Sequence, residues 1–234
     1  IVRSAPWIVS LSAAAVCLAA AGGAWAADFA VRIAGVNRVG LQVSSYGFIG
    51  NNFVTRSPSF EFPLGKGYEH LSRGGLWVGA RALDDDGVFT GVSAAIVDNS
   101  QGSSGPSETE FTPLAGALIE RSRIQNAKRY SPDAISDQDL IAEYADTPAK
   151  PSYGFQREPH RPMNLRITQR SLGFTLKAAD AFVVTSFTIH NDGAALQDVW
   201  VAVYAQLVSG NREAYTTWPP SSASGPGGWY YHTY

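Results

Sequence analysis

Few side chains in this 234-residue chain have a type and spacing that could do chemistry. Asp84, Asp85 and Asp86 could give oxygen ligands to calcium, since hard cations favour clustered carboxylates. Adjacent residues on a tight turn splay outward, so a calcium ion there would need further ligands from elsewhere, and a solvated turn is the competing reading. Glu108 and Glu110 could act as acid and base only opposite a second carboxylate at the roughly 5–10 Å that glycoside hydrolysis needs. No such residue is identified, which leaves them on a solvated loop. Trp200 and Tyr204 stand four residues apart on one strand face, roughly 13 Å at the usual rise, a spacing that could stack two sugar rings. Trp218 and Trp229 could extend that binding surface. The alternative is that an insertion or a second sheet buries Trp200 and Tyr204.

Recognised catalytic signatures are missing. There is no G-x-S-x-G elbow, H-E-x-x-H helix, Walker loop or G-x-G-x-x-G turn. Gly65-Lys66-Gly67 lacks the helix start that binds phosphate, and the four histidines, His70, His160, His190 and His232, are scattered without ligand spacing. The sequence therefore assigns no catalytic residue and no cofactor beyond a candidate calcium ion. With 18 Lys+Arg against 20 Asp+Glu, the charge balance also argues against a nucleic-acid partner.

The first 26 residues have the layout of an export signal. Arg3 is the positive end, Trp7 to Ala21 the apolar run, and Ala24-Trp25-Ala26 puts small residues before a cleavage expected after Ala26. The run is shorter than the ~20 residues that span a bilayer, and no later stretch approaches that length, so no transmembrane segment is expected after cleavage. The only cysteine, Cys17, lies inside this segment, so the mature chain would form no disulfide of its own. Acylation at Cys17 is disfavoured because Ala14-Ala15-Val16 lacks the small residue that should precede the cysteine. Loss of Arg3 changes the formal charge from −2 to −3.

The elements that must position these residues read as β-structure, since glycine and aromatic residues are plentiful and charge is sparse. Val39–Ile49 reads as a strand broken at Gly50-Asn51-Asn52. Residues 55–75 read as a loop pinned to a sheet by Phe60, Phe62 and Tyr68. LWVGARAL and VFTGVSAAIV flank Asp84-Asp85-Asp86-Gly87 as a hairpin, with Leu76, Val78, Ala80 and Ala82 on one face, continued by Val88, Val92 and Ala94. Residues 99–112 read as a polar surface loop. Ser136 and Asp139 resemble a capping box for one short helix carrying Leu140, Ile141 and Tyr144 and ending at Thr147-Pro148. Asn164–Phe174 reads as a strand. AFVVTSFTIH, NDGAA and LQDVWVAVYAQL then form a second hairpin, whose last arm points Val199, Val201, Val203, Ala205 and Leu207 to the core and Trp200, Ala202 and Tyr204 away from it.

The segments NRVGLQVSSYGFIGNN, PSFEFPLGKGYEHLSRGGLWVGA, ISDQDLIAEYADT and NLRITQRSLGFTLKAADAFVVTSFTIHNDGAALQDVWVAVYAQL resemble, in order, a family of large secreted β-sandwich proteins. These come from bacteria of the Bacteroidetes type and are mostly uncharacterised. The likeness covers most of residues 37–210. It implies a signal peptide and, in many members, a C-terminal type IX secretion sorting domain, but it carries over no catalytic residues. Many relatives place an acidic, calcium-binding stretch after the last strand, where this chain has Gln206-Leu-Val-Ser-Gly210. The second hairpin also resembles immunoglobulin-like adhesion modules, which define a fold and not a function.

The expected architecture is an all-β, antiparallel, immunoglobulin-like β-sandwich over residues 27–210, with one short helix in an insertion. Residues 211–234 are expected to be a loop and the truncated start of a further strand or domain. The expected role is a structural or adhesive module of a larger protein, secreted or on the cell surface, reached through the periplasm of a Gram-negative bacterium. Surface polymers or other surface proteins would be its partners. The alternatives are a carbohydrate-binding module and an accessory domain of a secreted hydrolase. Protein expressed with its native start should appear in the periplasm beginning at Ala27; N-terminal sequencing checks this, and retention of residues 1–26 would overturn it.

Overall fold

The structure is a computed structural model that describes residues 29–50, 57–95, 109–114, 118–147 and 160–212. Two antiparallel sheets pack on one core. The larger sheet runs in the order β1 (Val31–Ala34), β2 (Gly40–Ser44), β3 (Phe48–Gly50), β5 (Tyr68–Asp84) and β12 (Gln197–Asn211). Within it β4 (Phe60–Glu61) pairs with β2 and β5, and β6 (Gly87–Ala94) pairs with β5. The smaller sheet runs β11 (Val183–Asn191), β10 (Leu165–Gly173), β9 (Gln138–Ala145) and β7 (Thr112–Pro113), with β8 (Ile119–Arg121) beside β9. The core between them includes Leu41 and Val43, Leu76 and Val78, Leu140 and Tyr144, and Leu165 and Ile167, each from an alternating face.

The first hairpin forms as expected about Asp84 and Gly87, and Leu76, Val78, Ala80 and Ala82 are buried. Its second arm is rotated from the expectation. The two-residue turn sets Ala82 opposite Phe89 and Leu83 opposite Val88, so Phe89 continues the core face while Val88 and Val92 face outward. The Val39–Ile49 segment is two strands, because the chain turns at Gly47. That position needs glycine: its φ is +88°, and a Cβ there would lie 2.5 Å from the Tyr144 ring.

Two sequence expectations are corrected. The helix from Ser136 is the strand β9. The capping contacts do form, since the Asp139 carboxylate accepts the Ser136 backbone N–H at 2.7 Å and the Ile135 N–H at 2.7 Å. They close a turn, and the chain then pairs with β10 on one side and with β7 and β8 on the other. A central strand buried on both faces carries apolar residues in any order, so Leu140, Ile141 and Tyr144 fit it as well as they fit a helix.

The second hairpin is not a hairpin either. Its Asn-Asp-Gly turn forms, with Asn191 Oδ1 accepting the Gly193 N–H at 3.1 Å, but β11 joins the smaller sheet and β12 the larger. The valine row of β12 does lie on the core side of its sheet, since Val201 pairs with buried Val78 and Val203 with buried Leu76. It is nevertheless uncovered, with Val201 57% and Val203 58% exposed. The expectation that Val201 is core is therefore wrong in coverage although right in facing.

The C-terminal end of β12 is fixed by charge. Arg212 reaches Glu61 at 3.2 Å and also contacts Glu69, all three being buried. Glu69 further accepts the Phe60 N–H at 2.9 Å, and Glu61 accepts the Gly67 N–H at 2.5 Å. Burial pushes the Glu69 carboxyl up, against the pull of the Phe60 and Ser59 N–H donors and of Arg212. Such a clamp stabilises little in net terms, yet removing one partner strands the others. Arg212→Met should cost about 3–5 kcal/mol in a thermal or denaturant melt, whereas Val201→Asp should fold and cost under about 1 kcal/mol, as an exposed position does.

Candidate functional site

The long strand β5 and the edge strand β12 carry an aromatic strip on the outer face of the larger sheet. Alternation puts Trp77, Trp200 and Tyr204 there, opposite to Leu76 and Val78. In register, Trp200 faces Gly79, Trp77 faces Ala202 and Tyr204 faces Gly75, so small or absent side chains leave room for the rings. Trp77 and Tyr204 stack with centroids 5.3 Å apart and planes 9° from parallel. Tyr204 is half-buried and also packs on Tyr46 and Phe48, where Phe29 meets Tyr46 at 5.9 Å. Trp200 stands clear at the open end of the strip, 77% exposed, while Trp77 is 38% exposed.

Of the sugar-stacking residues expected from sequence, Trp200 and Tyr204 thus share a face, with Trp77 between their rows. Trp218 and Trp229 lie outside the described residues. Trp77 was missed because it sits in the first arm of a different hairpin; its odd-numbered place among Leu76, Val78 and Ala80 marked it as outward, and only the β5–β12 register brings it to Trp200.

Asp84 Oδ2 accepts from Arg161 at 2.5 Å and Asp84 Oδ1 from the Asp86 N–H at 3.0 Å, and the Arg161 hydrogen bond holds the Asp84 carboxyl below its usual range. Asp85 and Asp86 are exposed. Among the described residues, no group of three or more His, Cys, Asp or Glu side chains could hold a metal ion. Glu110 is buried and accepts the Ala94 N–H at 2.8 Å, while Glu108 lies outside the described residues.

A Ser-His-Asp cluster appears that no sequence spacing announced. Ser93 Oγ lies 2.8 Å from Asp146 Oδ2 and 3.0 Å from His160 Nε2, all three residues being buried. A hydroxyl has one proton, and an ionised carboxylate only accepts. Ser93 therefore donates to Asp146 and accepts from His160 Nε2–H, the reverse of a nucleophile facing its base. Asp146 also accepts the Met163 and Leu165 N–H groups, each at 2.7 Å, so the cluster pins β6 and the ends of β9 and β10 together.

A cleft of about 530 Å³ opens between β1 and the segment that runs from β8 to β9. Ile33, Val36 and Leu64 give it apolar walls, and Arg121, Lys128 and Arg129 line it with positive charge. Gln138 braces one wall, accepting the Gly35 N–H at 2.8 Å and donating to Glu120 at 2.9 Å. Asp137 braces another: Arg123 at 2.7 Å and the Thr175 N–H and hydroxyl, each at 2.7 Å, satisfy its carboxylate. The arrangement suits a ligand joining an apolar body to an anionic group. The Arg123 hydrogen bond, ahead of the opposing effect of burial, lowers the Asp137 pKa to about 2. A depressed folded value means stability that is present above the unfolded pKa and is lost as pH falls through the folded one. Melting temperature should accordingly fall between about pH 4 and pH 2, and Asp137→Asn should flatten that acid limb while lowering stability at neutral pH.

No helix among the described residues is long and apolar enough to cross a membrane. Comparison with protein families, with curated proteins and with solved structures found no match to this chain.

Proposed function

We propose that the chain is a non-catalytic module of the cell surface or secreted medium, and that its aromatic strip adheres to a carbohydrate polymer. The observation that carries this reading is Trp200, 77% exposed on the same face as the stacked pair Trp77 and Tyr204. An indole left in water forgoes up to about 3 kcal/mol of burial energy. On a flat face with glycine and alanine opposite, the missing cover has the shape of another flat apolar surface, and sugar rings offer one. Tyr204 is tied into the fold by Tyr46 and Phe48, so it acts as the fixed end of the platform and Trp200 as its contact.

Signal layout at residues 1–26 and the order of segments resembling secreted bacterial proteins support placement outside the cytoplasm. Against an enzymatic reading of the Ser-His-Asp cluster stand its serine proton, committed to Asp146, and the burial of its members.

Sedimentation with insoluble cellulose and chitin tests the proposal. Wild-type chain should be retained, and Trp200→Ala should reduce retention at least about tenfold, a loss of about 1.4 kcal/mol or more, with an unchanged melt. Tyr204→Ala should lower both retention and melting temperature, because its ring is half-buried. Trp218→Ala and Trp229→Ala serve as controls. Retention that survives Trp200→Ala, or no retention on either polymer, would overturn the proposal.

A further inference from the structure

β12 ends the larger sheet, with β5 on one side and no described strand on the other. Natural edge strands are guarded against pairing by prolines, inward lysines or short length. β12 lacks these: it runs for 15 residues, and from Val199 to Leu207 it contains no charged residue and no proline, while the bulges in its pairing with β5 lie outside the regular stretch Trp200–Gln206. Val201, Val203 and Leu207 are exposed on its core side although their β5 partners Val78, Leu76 and Leu71 are buried. Among the described residues the larger sheet is therefore open along this edge, in both hydrogen bonding and apolar cover.

The sequence of the edge suggests what fits it. Val199-Trp200-Val201-Ala202-Val203-Tyr204-Ala205 is nearly palindromic about Ala202. Antiparallel pairing of the strand with itself about that residue sets Val201 opposite the partner's Val203, Trp200 opposite the partner's Tyr204, and Val199 opposite the partner's Ala205. Aliphatic residues meet on the core side and aromatic residues on the outer side. The regular stretch from Trp200 to Gln206 carries no charge, so no like charges meet. We propose that β12 is a self-pairing edge, and that a second copy of this chain docks on it across a two-fold axis through Ala202, normal to the sheet.

That axis keeps each face on its own side. The two larger sheets merge into one, the two valine rows join, and the two aromatic strips meet so that Trp200 of one copy adjoins the partner's Tyr204. The contact is isologous and closes on itself, which limits it to a dimer. It stands on the edge alone and holds whether or not the strip binds sugar.

The purified chain in sedimentation equilibrium should have twice the chain mass. Val203→Lys places a charge at an exposed, core-side edge position and should shift the mass to that of one chain, which still melts cooperatively but at a lower temperature because the stabilisation by association is lost. A crosslink tests the register in a Cys17→Ser background. Paired Cα atoms across antiparallel strands are about 4.5–5.5 Å apart, within disulfide range, so Ala202→Cys on the axis should oxidise to a dimer. Ala205→Cys would meet its own copy only at roughly 20 Å and should crosslink at least about tenfold more slowly. A monomeric wild type, a dimer that survives Val203→Lys, or equal crosslinking at the two positions would overturn the proposal.

Discussion

The buried clamp of Arg212 on Glu61 and Glu69 is the constraint on which the arrangement of the larger sheet depends. Among the described residues β12 is held laterally by β5 alone, and its apolar rows are largely uncovered, so burial does little to fix it. The clamp supplies what burial does not. It fastens the end of the strand to β4 and to the start of β5, and the Arg212 N–H donates to the Gly67 carbonyl at 2.8 Å. Because charges can meet in the interior only with correct geometry, it selects one register more than it deepens stability. Register is what places Trp200 and Tyr204 beside Trp77, so the site inherits its geometry from three charged residues at the far end of the strand.

The same device recurs where the sheets meet. Asp146, Asp139 and Asp137 are all buried, and each collects two or more donors from loops that would otherwise bury free N–H groups. Gln138 does this with a neutral amide, satisfying both Gly35 and Val36. Strands as short as β4, β7 and β8 cannot hold a loop by ladder bonds, and these side chains take their place. The seeming catalytic cluster of Ser93, Asp146 and His160 belongs to this class: it satisfies backbone at a junction.

What the sequence made legible follows from which information is local. The Asp84–Gly87 turn and the alternation of Leu76, Val78, Ala80 and Ala82 are local, and they are realised. The rotation of the second arm hinged on a turn length of two residues, which one aspartate more or less would reverse. At Ser136–Tyr144 the local signals were correct and still misled, because capping contacts close a turn as readily as they start a helix and a doubly covered strand has no period. For β11 and β12, sequence proximity suggested pairing. Yet each strand pairs along its length elsewhere, over nine matched positions with β10 for β11 and over most of β5 for β12. Trp200 and Tyr204 were visible as an outward pair, but Trp77 was not visible with them, since cross-strand neighbours 123 and 127 residues away are set by register alone.

The two faces of β12 pose one energetic question. A strand with valine on one side and Trp200 on the other would ordinarily be central, covered above and below. Here it is an edge, and both faces remain open although Val78 and Leu76 beside it are fully enclosed. Isolated exposed apolar residues are commonplace, but contiguous ones on both faces of an uncharged edge amount to a surface. A domain tolerates such a surface only if something occupies it or if its backbone edge is guarded, and between its bulged ends β12 carries neither charge nor proline. Cover from the side, by another strand, satisfies the valine row and the free backbone groups together but leaves Trp200 facing outward. Cover from above, by a flat ligand, satisfies Trp200 and leaves the backbone edge free. The two occupants are thus complementary, since each accounts for the groups that the other leaves in water.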